Sequence, residues 1–143
     1  MQDWSYNIVP FQKVGMISFL DNREQIRDKI GGRVMDGEYV FEDIIELYDY
    51  FPDSDIKVLY DRYEHLGAVE FFRGKVLFEN KDIFNLSYKE VEIFFQKIDS
   101  ELETEMGFTS YKYGIGVGRD EENDTITSVI VFRKNYLMPI TNE

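Results

Sequence analysis

Apolar positions recur at helical spacing in only two stretches of the chain. In the segment that opens at Ser87, the residues Val91, Phe94, Phe95, Ile98 and Leu102 make one stripe, which predicts a helix running to about Glu103. Ser87 and Glu90 supply a capping box: the hydroxyl accepts from the Glu90 N–H and the Glu90 side chain reaches back to the Ser87 N–H. A shorter helix is predicted after Asn22, with Gln25 closing a weaker box, Ile26 and Ile30 turned inward and Gly31-Gly32 ending it.

Elsewhere the pattern is that of strands. IKVLYD (56–61) and GAVEFF (67–72) flank a short turn from Tyr63 to Leu66 and predict one hairpin. YKYGIGVG (111–118) and TITSVIVFR (125–133) predict a second. The expected fold class is therefore α+β, a single domain over 1–143 with an antiparallel sheet of about four to six strands and two main helices packed on one face. FLDNREQI (19–26) and FNLSYKEV (84–91) share a pattern: Phe, two residues, a capping residue, then an apolar position four residues after the cap. Each leads to a hairpin ending in AVEFF or SVIVF, so residues 14–73 and 76–134 are candidate repeats of one unit.

Composition sets limits on what such a domain does. With 43% hydrophobic and 16% aromatic residues, 143 residues suffice for a core without disulfides or metal, and the chain has no cysteine to form a disulfide or a thiolate site. There are 28 acidic residues against 16 basic ones, a formal net charge of −12, which repels nucleic acid and anionic lipid and favours a basic partner. No segment approaches membrane-spanning length, and MQDWSYNIVPF at the N-terminus lacks the basic and apolar regions of a leader, so a cytoplasmic location is expected.

The charge is uneven. Residues 1–35 are close to neutral, whereas 36–64 hold ten carboxylates, from Asp36 to Glu64, against Lys57 and Arg62. Tyr39, Tyr48, Tyr50, Phe51, Tyr60 and Tyr63 are interleaved with them, and tyrosine beside carboxylate suits a surface that binds a basic protein. As a helix, 42–51 would carry Glu42, Glu46 and Asp49 on one stripe and Ile44, Leu47, Tyr48 and Phe51 on the buried one. The candidate partner-binding residues are Glu42, Asp43, Glu46, Tyr48, Asp49, Tyr50, Asp53 and Asp55. The competing reading is an amphipathic segment with a solvated acidic face and tyrosines in the core.

Catalytic and cofactor motifs are absent. YGIGVGRDEEND (113–124) has three glycines at alternate positions, but a dinucleotide loop needs G-x-G-x-x-G leading into a helix, and here a turn and a strand follow. Gly114, Gly116 and Gly118 share one strand face, which predicts a bulky element packed over them, the second helix with Phe94 and Phe95 being the candidate. Asp120, Glu122 and Asp124 imitate the start of a calcium loop, yet Thr125 and Val131 stand where glycine and the bidentate Glu are needed, so a solvated hairpin turn is expected. His65 lies in a predicted turn, as a surface imidazole commonly does. There is no G-x-S-x-G, S-x-x-K or P-loop, and paired carboxylates are too abundant to single out a glycosidase pair. No enzyme, no metal and no cofactor is expected.

The order VPFQKVGMISF, NREQI, DYFPDSDIKVLYD, GAVEFF, LSYKEV, GFTSYKYGIGVG and VIVF resembles small bacterial proteins that look like immunity proteins of polymorphic toxin systems. The cap-and-helix start followed by a hairpin is also similar to the beta-lactamase-inhibitor-like architecture, with Leu20, Asp21 and Asn22 in place of its usual glycine-methionine-serine entry. The resemblance implies an inhibitor that binds a cognate protein toxin, a nuclease with a basic groove being the natural target. The alternative is a small-ligand or peptide-binding domain using apolar space between sheet and helices.

Overall fold

A computed structural model describes residues 5–136; the start of the N-terminal segment considered above, residues 1–4, lies outside them. The chain is α+β, and its strands form two sheets. The elements are β1 (Ser5–Val9), β2 (Lys13–Val14), β3 (Ile17–Ser18), α1 (Arg23–Ile30), β4 (Met35–Phe41), β5 (Ile44–Phe51), β6 (Ile56–Tyr60), β7 (Leu66–Phe71), β8 (Lys75–Phe78), β9 (Lys81–Asp82), α2 (Tyr88–Ile98), β10 (Phe108–Ser110), β11 (Ile115–Arg119) and β12 (Ile126–Phe132). A single 3-10 turn, Ile83–Asn85, precedes α2. The strands outnumber the four to six expected, because β4 and the short strands around β1 and β8 carry no clean alternation.

The larger sheet runs β10-β11-β12-β7-β6-β5-β4 and is antiparallel throughout. The smaller runs β3-β2-β1-β8-β9, and its β1–β8 pair is parallel. Ile56, Val58, Val69, Phe71, Val129, Val131, Ile115 and Val117 leave one face of the larger sheet and join one core with Ile26 of α1, Val91 and Phe95 of α2, and Tyr6, Val76 and Phe78 of the smaller sheet. Both helices thus cover one face of the larger sheet, and the apolar space between is filled by these side chains.

Both helix starts match the sequence. Asn22 accepts from the Gln25 N–H at 2.8 Å and Ser87 from the Glu90 N–H at 3.1 Å, each with the reciprocal bond. Gly31 ends α1 at φ 71°. The second helix stops at Ile98, short of the expected Glu103, because its exit is pinned from outside. Lys112 Nζ and the Tyr113 hydroxyl both donate to the Ile98 carbonyl, and the buried Asp99 carboxylate accepts from the Ser110 hydroxyl at 2.7 Å. Leu102 packs on the core from beyond the helix end.

The glycine-rich strand is corrected in its surroundings. β11 does lead into a turn and β12, but Gly116 and Gly118 face away from the helices. A Cβ there would meet Ile130 Cγ2 at 2.8 Å and Ser128 Oγ at 2.7 Å, both on β12, while Phe95 packs against Phe78 and Phe108 in the core. Crowding by cross-strand side chains, not a helix, is what leaves no room at these positions. The acidic turn after β11 is more than solvated: the Asp124 carboxylate accepts from the Lys89 N–H at 3.0 Å and its carbonyl from the Tyr88 N–H at 3.3 Å. It satisfies donors at the α2 N-terminus, where negative charge is favoured.

Candidate functional site

Residues 42–51 do not form a helix. Ile44–Phe51 is β5, paired with β4 over seven residue pairs from Phe41↔Ile44 to Met35↔Tyr50. The acids at 42, 46 and 49 fit a helical stripe, but IIELYDYF also alternates, with β-branched and aromatic residues that suit a pleated surface. As a strand it sends Leu47, Asp49 and Phe51 toward the core and Glu46, Tyr48 and Tyr50 to the open face of the sheet.

That geometry removes two candidate residues from the surface. Asp49 is 0% exposed and accepts from Arg23 Nη2 at 2.7 Å and from Arg27 Nε and Nη2, each at 2.7 Å. The two arginines stand one turn apart on α1, so both guanidiniums reach the same carboxylate. The Tyr60 hydroxyl adds a donor at 3.2 Å, and Arg23 lies over the Tyr60 ring at 4.9 Å. Burial pushes the Asp49 carboxyl up, but the guanidiniums of Arg27 and Arg23 outweigh it and hold the group below its ordinary range. Asp49 therefore anchors α1 to the sheet and offers nothing to a partner.

Glu46 is buried on the opposite, open face, where the Tyr136 hydroxyl donates to its carboxylate. Burial raises its pKa, opposed by that hydrogen bond and by Lys57. Tyr136 packs on Leu59, Ala68 and Phe132 and closes this end of the face.

Most of the other acids in 36–64 are also engaged within the chain. Asp53 pairs with Arg33 at 2.9 Å, Asp55 accepts from the Tyr50 hydroxyl at 2.7 Å, and Asp61 accepts from the backbone N–H groups of Tyr63 and His65 and meets the exposed His65 ring at 3.0 Å. Glu64 pairs with Arg23, and Asp36 reaches Arg27 at 3.5 Å. Among the described residues, Glu38, Glu42 and Asp43 make no ion pair and no side-chain hydrogen bond, and all three are exposed.

These three acids sit on the β4–β5 hairpin, where exposed apolar side chains also gather. Val34, Met35, Tyr39, Val40, Phe41 and Ile44 are exposed, with Met35 at 60% and Val40 at 61%. Glu42 and Asp43 form the two-residue connection, Glu42 at φ 55° in the left-handed region. Of these residues the sequence points to Glu42 and Asp43 as candidates and to Tyr39 among the interleaved tyrosines, and it passes over Met35, Val40 and Phe41 of β4. Its one available signal was the cluster of large apolar residues in MDGEYVFEDII, which follows neither a helical nor a strict two-residue period.

Beside the hairpin, Tyr48 lies flat over Gly37, where a Cβ would come within 2.6 Å of the ring carbon bearing the hydroxyl. The Tyr39 ring sits 4.9 Å from that of Tyr48, and the Lys57 ammonium lies 5.2 Å and 5.1 Å from their centroids. A surface depression of about 430 Å³ adjoins them, lined by Met35, Tyr48, Tyr50, Asp55 and Lys57 among others. The open-face residues Met35, Tyr39, Phe41 and Tyr48 adjoin this depression and the exposed turn of Glu42 and Asp43, whereas Glu38 and Val40 project from the other face of β4.

Among the described residues, no cluster of three or more His, Cys, Asp or Glu could hold a metal ion, and no helix is long and apolar enough to cross a membrane. No protein-family model, curated protein or solved structure matches the chain.

Proposed function

We propose that this chain is a protein-binding inhibitor of the immunity type, which neutralises a cognate bacterial toxin by covering its active site or a neighbouring surface. A basic nuclease domain is the favoured target. The observation that carries this reading is the concentration of Met35, Tyr39, Val40, Phe41 and Ile44 on one exposed hairpin together with the unpaired Glu38, Glu42 and Asp43. An exposed apolar cluster of this kind marks an interaction site, and the carboxylates select a basic partner and speed its association. Nuclease grooves hold phosphates with Lys and Arg, so carboxylates on the hairpin can occupy the same positions.

The test begins with the genes flanking this one. A toxin domain encoded beside it, purified and assayed on its own substrate, should lose activity at one equivalent of this protein. Replacing Phe41 by Ala with Glu42 and Asp43 by Lys should abolish that protection while leaving the melting curve in place. Neighbouring genes without a toxin, or a toxin whose activity is unchanged at tenfold excess, would set the reading aside.

A further inference from the structure

β4 is the outermost strand of the larger sheet and pairs only with β5, so its outer edge has no strand beside it among the described residues. All its residues except Gly37 are exposed. Natural edge strands are commonly blunted by lysine, proline, a bulge or short length. β4 has none of these: it is seven residues long, contains no proline or basic residue, and keeps an unshifted register along β5, so its edge charges are the acids Asp36 and Glu38 alone, which repel a like strand and not a basic one. Its two faces differ. Met35, Tyr39 and Phe41 lie on the open side with Tyr48, whereas Asp36 and Glu38 lie on the side of α1 together with the exposed Val40, and Asp36 approaches Arg27.

Pairing between two copies is opposed by this charge. It would bring the Asp36 and Glu38 rows of both chains to one side of the joined sheet, with each chain at −12. A partner strand that carries Lys or Arg on that side and apolar residues on the other meets both faces.

Building on the proposed function, we propose that β4 receives an extended strand of the partner protein, in which basic residues alternate with apolar ones. The basic residues face Asp36 and Glu38, the apolar residues continue the surface of Met35, Tyr39 and Phe41, and main-chain hydrogen bonds extend the sheet by one strand.

Three synthetic peptides, each matching the seven residues of β4 in length, test this on the whole protein. One alternates Lys and Val, one has the same composition in blocks, and one is the alternating peptide N-methylated at every second residue. Nuclear magnetic resonance should show the alternating peptide shifting the β4 amides, with affinity at least about tenfold above the other two. Asp36→Lys with Glu38→Lys should reverse the preference toward an alternating Glu and Val peptide. Glu38→Lys alone gives the same direction if the double variant does not fold.

Equal affinity for all three peptides would overturn strand addition and leave hairpin docking by charge standing. So would an absence of shifts at β4, or self-association of the free protein through β4. Loss of the proposed function is read separately, from the toxin assay.

Discussion

Asp49 is a carboxylate removed from water and held by two guanidiniums and a phenol, so its charge is structural. Asp49→Asn keeps the shape and removes the charge, leaving Arg23 and Arg27 to face a neutral group in a poorly hydrated site. Breaking a buried pair on one side costs about 3–5 kcal/mol, which urea unfolding near neutral pH should register as a lowered midpoint. The pH dependence has a definite sign. Asp49 is held below its ordinary 3.8, so its contribution is fully present above that value and is lost as pH falls through the folded pKa. The gap between wild type and variant should therefore be widest at neutral pH and close in strong acid. Glu46 works in the opposite sense, since burial raises it above 4.5 and its contribution is lost as pH rises through the folded value. Neither role was legible in the sequence. The partners of Asp49 lie 22 and 26 residues away on another element, and a count of charges along the chain cannot see them.

Local signals read well where they were complete. The capping boxes at Asn22 and Ser87 set both helix starts, and the β6–β7 hairpin falls close to where it was expected, whereas in the second hairpin residues 111–114 are a turn and the strand begins only at Ile115. The reading failed at 42–51, where acids spaced like a helical stripe coincide with strand-forming residues, and pairing with both β4 and β6 decides for the strand. The hairpin that results has a feature with a testable consequence. Glu42 sits at φ 55°, a conformation that glycine adopts without strain. Glu42→Gly should raise stability by about 0.5–1 kcal/mol and reduce partner affinity, because a docking charge is removed as strain is relieved. Thermal unfolding and binding measured on the same sample would show whether the two move in opposite directions.

At the scale of the whole molecule, the α+β class is legible in the pattern of apolar positions, but the two-sheet architecture is not. The smaller sheet depends on a parallel pairing of Ser5–Asn7 with Lys75–Leu77, strands too short to carry a period of their own. Net charge suggests a basic partner, and because the other acids of 36–64 are engaged within the chain, the proposed docking surface is the β4–β5 hairpin. The most direct test of that surface is the dissociation constant of the toxin complex, measured across salt concentrations for two variants. In one, Phe41→Ala is combined with Glu42→Lys and Asp43→Lys. In the other, Glu121 and Glu122 of the distant turn become lysine, with Asp120 left intact because it caps the Glu122 N–H. The first should weaken binding by several kcal/mol and flatten its salt dependence, and the second should change it little. An unchanged constant for the first variant, or a larger loss for the second, would contradict the assignment of the hairpin as the docking surface.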